Sequence, residues 1–421
     1  MICGKKNLRC GLVGERLSHS FSPEIHSHLA DYSYKLFEMP EDKVGEFVRG
    51  GTYDAVNVTI PYKKTVMPYL DEISDEARRI GSVNTITHTK SGRLRGDNTD
   101  YFGFSYLIRK GGIEIKGKKV LILGTGGASL TAYTVCADMA ADSITFVSRS
   151  GEVNYENVYD RCADTEVIIN CTPVGMYPNN LNCPILLERF PNLCGVADMI
   201  YNPAKTKLLL DAERLGIKCI NGLSMLVAQA KRACEIFLGT EIDDGEIDRI
   251  CSLIEKETGN IVLVGMPGCG KSTVAELISK ATGRRLVDTD SLIVEREGRS
   301  IPDIFASDGE EYFRACESRA AASAGKLSGC VIATGGGIVT REENLDSLRQ
   351  NGKIFFIRRD ISLLSRDGRP LSLGADLDEM YAKRLPKYLE FSDFTVDNIN
   401  TPEGCAEAII SIFREDNEGS I

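Results

Sequence analysis

The chain has 421 residues, a formal net charge of -10 and a hydrophobic content of 43%. This length and composition predict two or three globular domains, each with a core of its own. The acidic balance argues against nucleic-acid binding, and no apolar run is long enough to predict a membrane span. The cysteines are scattered singly, without zinc-site spacing, so we expect a reduced, cytoplasmic chain.

The first hundred residues place polar side chains where predicted strands end. A strand over 8–13 precedes one polar turn, and a strand over 55–60 precedes another. Simpler interpretations stay open, with Ser22 as a helix cap and Lys63 as a solvated surface charge. Together, however, the polar groups suit a small polyhydroxylated acid. The candidates are Ser20, Ser22, Thr59, Lys63, Asn84 and Asp100.

Residues 118–150 are typical of a βαβ dinucleotide-binding unit. A buried strand over 119–123 runs into a glycine-rich turn, in which Gly124 makes the tight turn and Gly126 lets the backbone approach a pyrophosphate. The second strand, 144–147, ends in Ser148-Arg149-Ser150 rather than in an acidic residue. A cation flanked by hydroxyls favours the 2′-phosphate of NADP, although a surface arginine after a strand is the simpler alternative.

The same pattern continues to residue 238. Strands are predicted over 167–170, 196–198 and 218–220, followed by a helix over 223–238. The next stretch, 239–259, is acidic and contains apolar residues at helical spacing, so we expect a junction with a short amphipathic helix.

A second phosphate-binding motif begins at residue 265. The apolar run 261–264 precedes Gly265-Met-Pro-Gly-Cys-Gly-Lys-Ser272, and a helix-forming stretch follows. This G-x-x-x-x-G-K-S spacing predicts a P-loop, in which backbone N–H groups and a helix N-terminus hold phosphates. Lys271 is expected to reach the outer phosphates and Ser272 to ligate Mg²⁺. Further strands are predicted over 285–287, 330–333 and 353–357, with helical stretches at 301–305 and 313–317.

The first part of the chain resembles the shikimate dehydrogenase family over about residues 8–238. The resemblance rests on motifs in the family's order: His19-Ser-Phe-Ser-Pro23, Asn57-Val-Thr-Ile-Pro-Tyr-Lys63, Gly81-Ser-Val-Asn84, Asn98-Thr-Asp100, Gly124-x-Gly-Gly-Ala128, Asn170-Cys-Thr-Pro-Val-Gly-Met176, Asp198-x-x-Tyr201-Asn-Pro203 and Gly222-x-x-Met225-Leu-x-x-Gln229. One departure is Ser129, which stands in the third glycine position of the turn.

This resemblance implies residue roles. Lys63 and Asp100 would form a catalytic pair beside the ring ketone, where a lysine can donate a proton. The implied substrate ligands are Ser20, Ser22, Thr59, Lys63, Asn84, Asp100, Tyr201 and Gln229. The implied NADP ligands are Gly124, Gly126, Gly127, Ala128, Ser148, Arg149, Ser150, Thr172, Met199 and Gly222.

The second part is similar to the shikimate kinase family. The motifs are the P-loop, Asp288-x-Asp290, Gly309-Glu-x-x-Phe313-Arg314, Gly335-Gly-Gly337, Arg369-Pro-Leu371 and Arg384-x-x-x-Tyr388. The lid Arg366-Asp-Gly-Arg369 is shorter than in many members of that family.

The kinase resemblance implies a second set of roles. Asp290 would act on the acceptor hydroxyl as base or positioner, and Glu317 would orient Arg314 or be an exposed charge. The implied acceptor ligands are Asp290, Arg314, Gly336, Gly337 and Arg384, and the metal ligands are Ser272 and Asp288. The implied ATP ligands are Gly265, Gly268, Cys269, Gly270, Lys271, Ser272, Thr273 and Arg369, with Lys271 and Arg369 also catalytic.

The sequence therefore predicts an α/β protein with three ligand-binding domains. A substrate domain spans 1–100 and is completed by helix 223–238, a Rossmann NADP domain spans 101–238, and a P-loop kinase domain with a parallel sheet spans 260–421. We expect NADPH, ATP and Mg²⁺ as cofactors and 3-dehydroshikimate and shikimate as substrates, with neither nucleic acid nor membrane as a partner. A homo-oligomer stays open, as do a quinate-preferring first half and a degenerate ligand-sensing regulator.

Overall fold

The computed structural model describes residues 8–17, 20–364, 377–399 and 401–419. The chain divides into two compact units. The first comprises Met1–Val174, Cys183–Tyr201 and Asp211–Cys251, and the second comprises Gly175–Asn182, Asn202–Leu210 and Ser252–Ile421.

The first unit opens with a mixed sheet of six strands in the order β2-β1-β3-β5-β6-β4. β3 pairs in parallel with β1 and antiparallel with β5, which sets Asn57 directly opposite Thr85. The strand predicted over 55–60 is shorter in the structure, where it spans Ala55–Val58. The strands are β1 Arg9–Gly14, β2 Ser33–Glu38, β3 Ala55–Val58, β4 Glu72–Ile73, β5 Thr85–His88 and β6 Leu94–Asp97. The helices are α1 Ser22–Leu29, α2 Glu41–Arg49, α3 Asp75–Ile80 and α4 Asp100–Lys110, with a 3-10 turn at Met67–Tyr69.

The second sheet of this unit is parallel, with the order β11-β10-β9-β7-β8. Its strand order reverses at β7, which is where an open α/β sheet forms a ligand crevice. All five predicted strands are present, and two of them begin one residue earlier than predicted. They are β7 Lys119–Leu123, β8 Ser143–Val147, β9 Val167–Asn170, β10 Gly195–Asp198 and β11 Lys218–Ile220. The helices are α5 Gly127–Asp138, α6 Val158–Arg161, α7 Lys207–Arg214 and α8 Leu223–Leu238, with a 3-10 turn at Leu187–Arg189.

The acidic junction forms the predicted amphipathic helix, α9, which spans Gly245–Thr258. Its apolar residues Ile247, Ile250 and Ile254 are buried. Its first turn is held by α4, because the Asp248 carboxylate accepts a hydrogen bond from the Tyr106 hydroxyl at 3.1 Å. The first turn of the predicted junction helix therefore packs within the first unit.

The second unit contains a five-stranded parallel sheet in the order β13-β14-β12-β15-β16, which reverses at β12. The helical stretches predicted at 301–305 and 313–317 belong to one element, α12, which is interrupted at Gly309 where φ is 80°. The strands are β12 Asn260–Val264, β13 Arg285–Asp288, β14 Cys330–Ala333, β15 Gly352–Arg358 and β16 Phe394–Asp397. The helices are α10 Lys271–Thr282, α11 Thr289–Glu297, α12 Ile301–Gly325, α13 Glu343–Arg349, α14 Leu377–Phe391 and α15 Pro402–Gly419, with 3-10 turns at Ile338–Thr340 and Ile361–Leu363.

Each sheet has a hydrophobic core of its own. Val262, Leu263, Phe355 and Phe356 are completely buried in the core of the second unit. The described cysteines are free thiols, most of them buried. Across the ranges that the structure covers, no helix combines the length and the hydropathy needed to cross a membrane.

His26 predicts an acid-sensitive first unit. Its buried ring stacks on Tyr34, and burial lowers its pKa from 6.5 to about 3. Below about pH 6.5 the unfolded chain therefore binds a proton at this histidine that the folded unit does not bind. Up to about 1.4 kcal/mol of the free energy of unfolding is lost for each pH unit of acidification, until the pH reaches about 3. We expect His26→Phe to flatten the fall in melting temperature between pH 7 and pH 4.5, measured by calorimetry. The exposed residue His88 supplies the control, since His88→Gln should keep the wild-type slope; an unchanged slope in His26→Phe would contradict the assignment.

Candidate active sites

The first unit encloses a cavity of about 750 Å³. Every substrate ligand implied for the dehydrogenase lines it, although these side chains come from six separate stretches of the chain. They are Ser20, Ser22, Thr59, Lys63, Asn84, Asp100, Tyr201 and Gln229. Three implied cofactor ligands, Ala128, Met199 and Gly222, line the same cavity. His19 lies outside the described residues.

Lys63 and Asp100 form an ion pair in this cavity, with Nζ 2.6 Å from Oδ2. Lys63 follows β3, and its carbonyl accepts a hydrogen bond from the Val83 amide at 2.8 Å. Asp100 is the first residue of α4, where the helix dipole favours a carboxylate. Backbone contacts hold both residues, so the ammonium and the carboxylate lie at hydrogen-bonding distance, an arrangement in which a lysine can donate a proton and a carboxylate can orient it.

The cavity also contains residues that the sequence prediction did not assign, among them Asn57, Arg16 and Ile60. Asn57 is only 5% exposed and donates from Nδ2 to the Thr85 hydroxyl at 3.2 Å. A signal for it was present in the sequence, because alternate residues of a strand face the same side. Asn57 and the predicted ligand Thr59 are two residues apart.

The glycine-rich turn after β7 is shaped for close approach of a ligand. Gly124 has a φ of +101°, and a Cβ there would meet Thr172. Gly126 and Gly127 face open space at the start of α5, where backbone N–H groups favour a phosphate. Ser129, the departure from the family pattern, is buried and donates its hydroxyl to the Gly126 carbonyl at 2.6 Å. The serine therefore fits the turn without occupying the ligand space.

Ser148, Arg149 and Ser150 follow β8, and Arg149 is exposed. Burial raises the pKa of the nearby Tyr155, and the charge of Arg149 acts against that shift. These three residues and Thr172 do not line the 750 Å³ cavity. They lie instead at the carboxyl ends of β8 and β9, the edge at which such sheets bind dinucleotides.

The second unit contains a cavity of about 470 Å³ that joins the P-loop to the implied acceptor ligands. From the P-loop side it is lined by Gly268, Gly270, Lys271, Ser272 and Thr273, and from the acceptor side by Asp288, Asp290, Arg314, Gly336, Gly337 and Arg384. Gly265 and Cys269 belong to the loop but not to the cavity lining. Arg366 and Arg369, assigned to the lid, lie outside the described residues.

The P-loop takes a conformation that requires glycine. Gly268 and Gly270 have φ values of +84° and +98°, which L side chains rarely adopt. Lys271 is buried and donates to the Gly265 carbonyl at 2.8 Å. Asn398, which the sequence prediction missed, donates from Nδ2 to the Cys269 carbonyl at 2.9 Å. This asparagine follows the last strand of the sheet, so no local pattern indicated its contact with the loop.

Arg314 is fixed between two carboxylates. Its guanidinium lies 2.9 Å from Glu310 and forms a hydrogen-bonded ion pair with Glu317. Glu317 is 1% exposed, so the sequence alternative of an exposed charge is wrong and its role as an orienting partner is supported. Burial raises the pKa of Glu317 above its usual value, although the charge of Arg314 opposes this.

The glycines after β14 bring backbone close to these side chains. A Cβ on Gly337 would lie 1.7 Å from a guanidinium nitrogen of Arg314, and a Cβ on Gly336 would lie 2.6 Å from the ring of Pro267. The Gly336 carbonyl accepts hydrogen bonds from Arg384 at 3.2 Å and from Tyr388 at 2.5 Å. Residues from β14 and α14 therefore form one wall of the cavity.

The two residues implied as Mg²⁺ ligands both offer oxygen atoms, which Mg²⁺ prefers. Ser272 and Asp288 line the same cavity as the P-loop. Asp288 uses Oδ1 to cap α11, accepting from the Asp290 and Ser291 amides at 2.9 and 3.0 Å. A second Asp288 oxygen and the Ser272 hydroxyl are oxygen donors of the kind that Mg²⁺ takes, since Mg²⁺ uses few protein oxygens and completes its shell with phosphate and water.

Comparisons with known families divide the chain in the same way. The family described as "Shikimate dehydrogenase substrate binding domain" matches residues 12–86, and the family described as "Shikimate kinase" matches residues 267–414. The "Shikimate dehydrogenase (NADP(+))" of Clostridium beijerinckii is 37% identical over 267 residues, which are 59% of this chain and 98% of that protein. The chain belongs to the shikimate dehydrogenase family. Its second part carries a shikimate kinase domain.

Further shikimate dehydrogenases support this assignment. The Bacillus cereus protein is 35% identical over 275 residues, which are 59% of this chain and 98% of its own length. The solved chorismate mutase/shikimate 5-dehydrogenase fusion of Clostridium acetobutylicum is 37% identical, with a TM-score of 0.57, and the match covers 60% of this chain and 98% of that one. The Thermus thermophilus enzyme, solved with NADP(H) and shikimate, is 28% identical with a TM-score of 0.53, over 58% of this chain and 98% of its own.

Gly337 supplies a test of the kinase cavity. Gly337→Ala forces the ion-paired Arg314 guanidinium to move, at a cost of about 1–3 kcal/mol, so we expect the KM for shikimate to rise by about tenfold or more. The measurement is the rate of shikimate phosphorylation. Gly404→Ala, in α15 with only an ordinary contact to Thr401, is the matched control and should leave the rate unchanged. Equal KM values for Gly337→Ala and the wild type would contradict the proposed wall.

Proposed function

We propose that the chain is a bifunctional enzyme that reduces 3-dehydroshikimate to shikimate with NADPH and then phosphorylates shikimate with ATP. The observation that carries this function is that each reaction has a cavity of its own. In the first unit the substrate ligands surround the Lys63–Asp100 ion pair. In the second, the P-loop and the acceptor ligands line one cavity.

We assign the steps to segments of the chain as follows. Residues 1–100 with the helix 223–238 bind the hydroaromatic acid, 101–238 bind NADP, 239–259 join the two parts, and 260–421 form the kinase. The mixed sheet and α8 support the first assignment, and the parallel sheet with its reversal at β7 supports the second.

For the reduction, NADPH supplies the hydride when it is bound. Charge develops on the ketone oxygen as the hydride adds, and the Lys63 ammonium donates the proton that makes this oxygen a hydroxyl. Asp100 orients that ammonium through the 2.6 Å contact. Ser22, Thr59 and Gln229, which line the cavity, hold the hydroxyl and carboxylate groups of the substrate.

Arg149 supports NADP rather than NAD as the cofactor. It occupies the position after β8 where NAD enzymes have an acidic residue, and it is exposed between two serines. A guanidinium with neighbouring hydroxyls can bind the 2′-phosphate through charge-assisted hydrogen bonds.

For the phosphorylation, the second unit positions both reactants. Asp290 accepts the proton of the shikimate hydroxyl or orients it, while Arg314 and Arg384 bind the carboxylate. Lys271 is placed to contact the outer phosphates. Ser272 and Asp288 would hold Mg²⁺, which would supply positive charge beside the phosphates. The product of the first reaction is the acceptor of the second, so the fusion raises its effective concentration at the second site.

The place of these reactions in the cell follows from the same proposal. Free thiols throughout the described part of the chain support a cytoplasmic, reducing location. The two steps are consecutive, which supports a role in aromatic amino acid biosynthesis.

Product analysis tests both activities together. We expect the purified chain to convert 3-dehydroshikimate, NADPH and Mg-ATP to shikimate 3-phosphate, identified by mass spectrometry. Shikimate alone would show that the kinase assignment is wrong. Phosphorylation of added shikimate without reduction of 3-dehydroshikimate would show that the dehydrogenase assignment is wrong, and faster turnover of quinate than of shikimate in the reverse direction would identify a quinate enzyme.

Cofactor preference tests Arg149. Because Arg149→Ala removes the cation beside the 2′-phosphate, we expect the KM for NADPH to rise by about tenfold to a hundredfold, a loss of about 1.5–3 kcal/mol for a hydrogen bond to a charged group. The KM for NADH should change little. Arg109→Ala, an exposed arginine at the end of α4, should leave both constants unchanged. A similar loss with both cofactors would refute the 2′-phosphate role.

A further inference from the structure

A cluster of aromatic side chains lies behind the substrate cavity of the first unit. Tyr34 on β2 stacks on the ring of His26, with 4.1 Å between ring centroids and 15° between ring planes. His26 stacks in turn on Phe237 of α8 at 5.9 Å, and Tyr32 packs edge-on against the same phenylalanine at 6.2 Å. The ring of Tyr34 is therefore held by His26 of α1, and His26 is held in turn by Phe237 of α8.

The hydroxyl of Tyr34 reaches the wall of the cavity. It donates to Asn57 Oδ1 at 2.8 Å. Asn57 lines the cavity. The hydroxyl of Tyr34 therefore holds the side chain in the middle of β3.

Asn57 passes this constraint to the next strand. Its Nδ2 donates to the Thr85 hydroxyl at 3.2 Å and to the Asn84 carbonyl at 3.4 Å. The Thr85 hydroxyl donates to Asn84 Oδ1 at 3.1 Å. Because Asn57 Oδ1 accepts from Tyr34, the Asn57 side-chain amide is fixed with its nitrogen facing Thr85. The Asn84 side-chain oxygen is fixed in turn, because it accepts from the Thr85 hydroxyl.

The same Asn84 oxygen meets the helix that carries the catalytic aspartate. The Thr99 amide donates to Asn84 Oδ1 at 2.8 Å, and Asp100 is the next residue. Hydrogen bonds therefore run without a break from Tyr34, through Asn57 and Asn84, to the residue before Asp100. Each of the two asparagines is at least nine-tenths buried, so each depends on these partners.

Tyr34 keeps its proton in this environment. Burial raises the pKa of its hydroxyl well above the usual value, so it remains a donor throughout the working pH range. Without the hydroxyl, the buried Asn57 oxygen would lose a donor.

We propose that Tyr34 is a positioning residue of the dehydrogenase reaction, which orients Asn57 toward the substrate through its hydroxyl. The proposal rests on the dehydrogenase function proposed above. It gives Tyr34 no contact with the reacting atoms, and its effect falls on the binding of 3-dehydroshikimate rather than on the cofactor.

The test is Tyr34→Phe in the full chain, which keeps the ring stack and removes only the hydroxyl. We expect the KM for 3-dehydroshikimate to rise by about tenfold, while kcat, the KM for NADPH and the rate of shikimate phosphorylation keep their wild-type values. Tyr53→Phe is the matched control, because it removes a buried hydroxyl of the first unit whose partner, the Val48 carbonyl at 2.8 Å, does not line the cavity. It should leave every one of these constants unchanged.

A purely structural role would lower the melting temperature without raising the KM for 3-dehydroshikimate, and that result would overturn the proposal. So would an equal rise in KM for Tyr53→Phe. Inactivity of the wild-type chain toward 3-dehydroshikimate would refute the proposed function itself. That result differs from the failure of the Tyr34 proposal, in which the wild-type chain is active and Tyr34→Phe has an unchanged KM.

A double-mutant cycle adds an independent check. Asn57→Ala removes the acceptor, so Tyr34→Phe in that background should raise KM by much less than it does in the wild type. Full additivity of the two changes would overturn the linkage. If Tyr34→Phe did not fold, Asn57→Ala alone should still raise the KM for 3-dehydroshikimate without affecting that for NADPH, and an unchanged KM would refute the chain of contacts.

Discussion

Two of the binding sites depend on the reversal of strand order in a parallel sheet. At β7 and at β12, neighbouring connections leave on opposite faces, and a crevice opens at the carboxyl ends of the strands. In both places a glycine-rich turn leads directly into a helix, so backbone N–H groups and a helix dipole meet in the crevice. Phosphate recognition therefore needs few side chains at either site, and the surrounding residues distinguish one ligand from the other.

The substrate site of the first unit is built on a different constraint. Its sheet is mixed, and the antiparallel pairing of β3 with β5 sets Asn57 opposite Thr85. A shift of this register by one residue would turn Asn57 and Thr59 away from the cavity. The polar network consequently depends on the sheet register and also stabilises it. Both depend on residues far apart in the sequence.

Local patterns predicted most of the parallel framework. Apolar runs followed by glycine-rich turns indicated β7 and β12, and the order of motifs indicated most of the candidate ligand residues that the structure brings together in the two cavities. The sequence did not indicate long-range contacts. Asn398 follows the last strand of its sheet, yet it holds the P-loop carbonyl of Cys269, because parallel pairing brings distant strand ends together. The alternatives for Glu317 also required the structure, since helical spacing cannot distinguish a buried charge from an exposed one.

The close approach of Arg314 to Gly337 restricts the order in which this cavity can change during evolution. The guanidinium occupies the space of any side chain at position 337, and its two carboxylate partners keep it from swinging aside. A lineage that loses the arginine first opens that space and frees the glycine to vary. The reverse order passes through an intermediate with a steric clash, so the two positions are expected to be inherited together for as long as the arginine is retained.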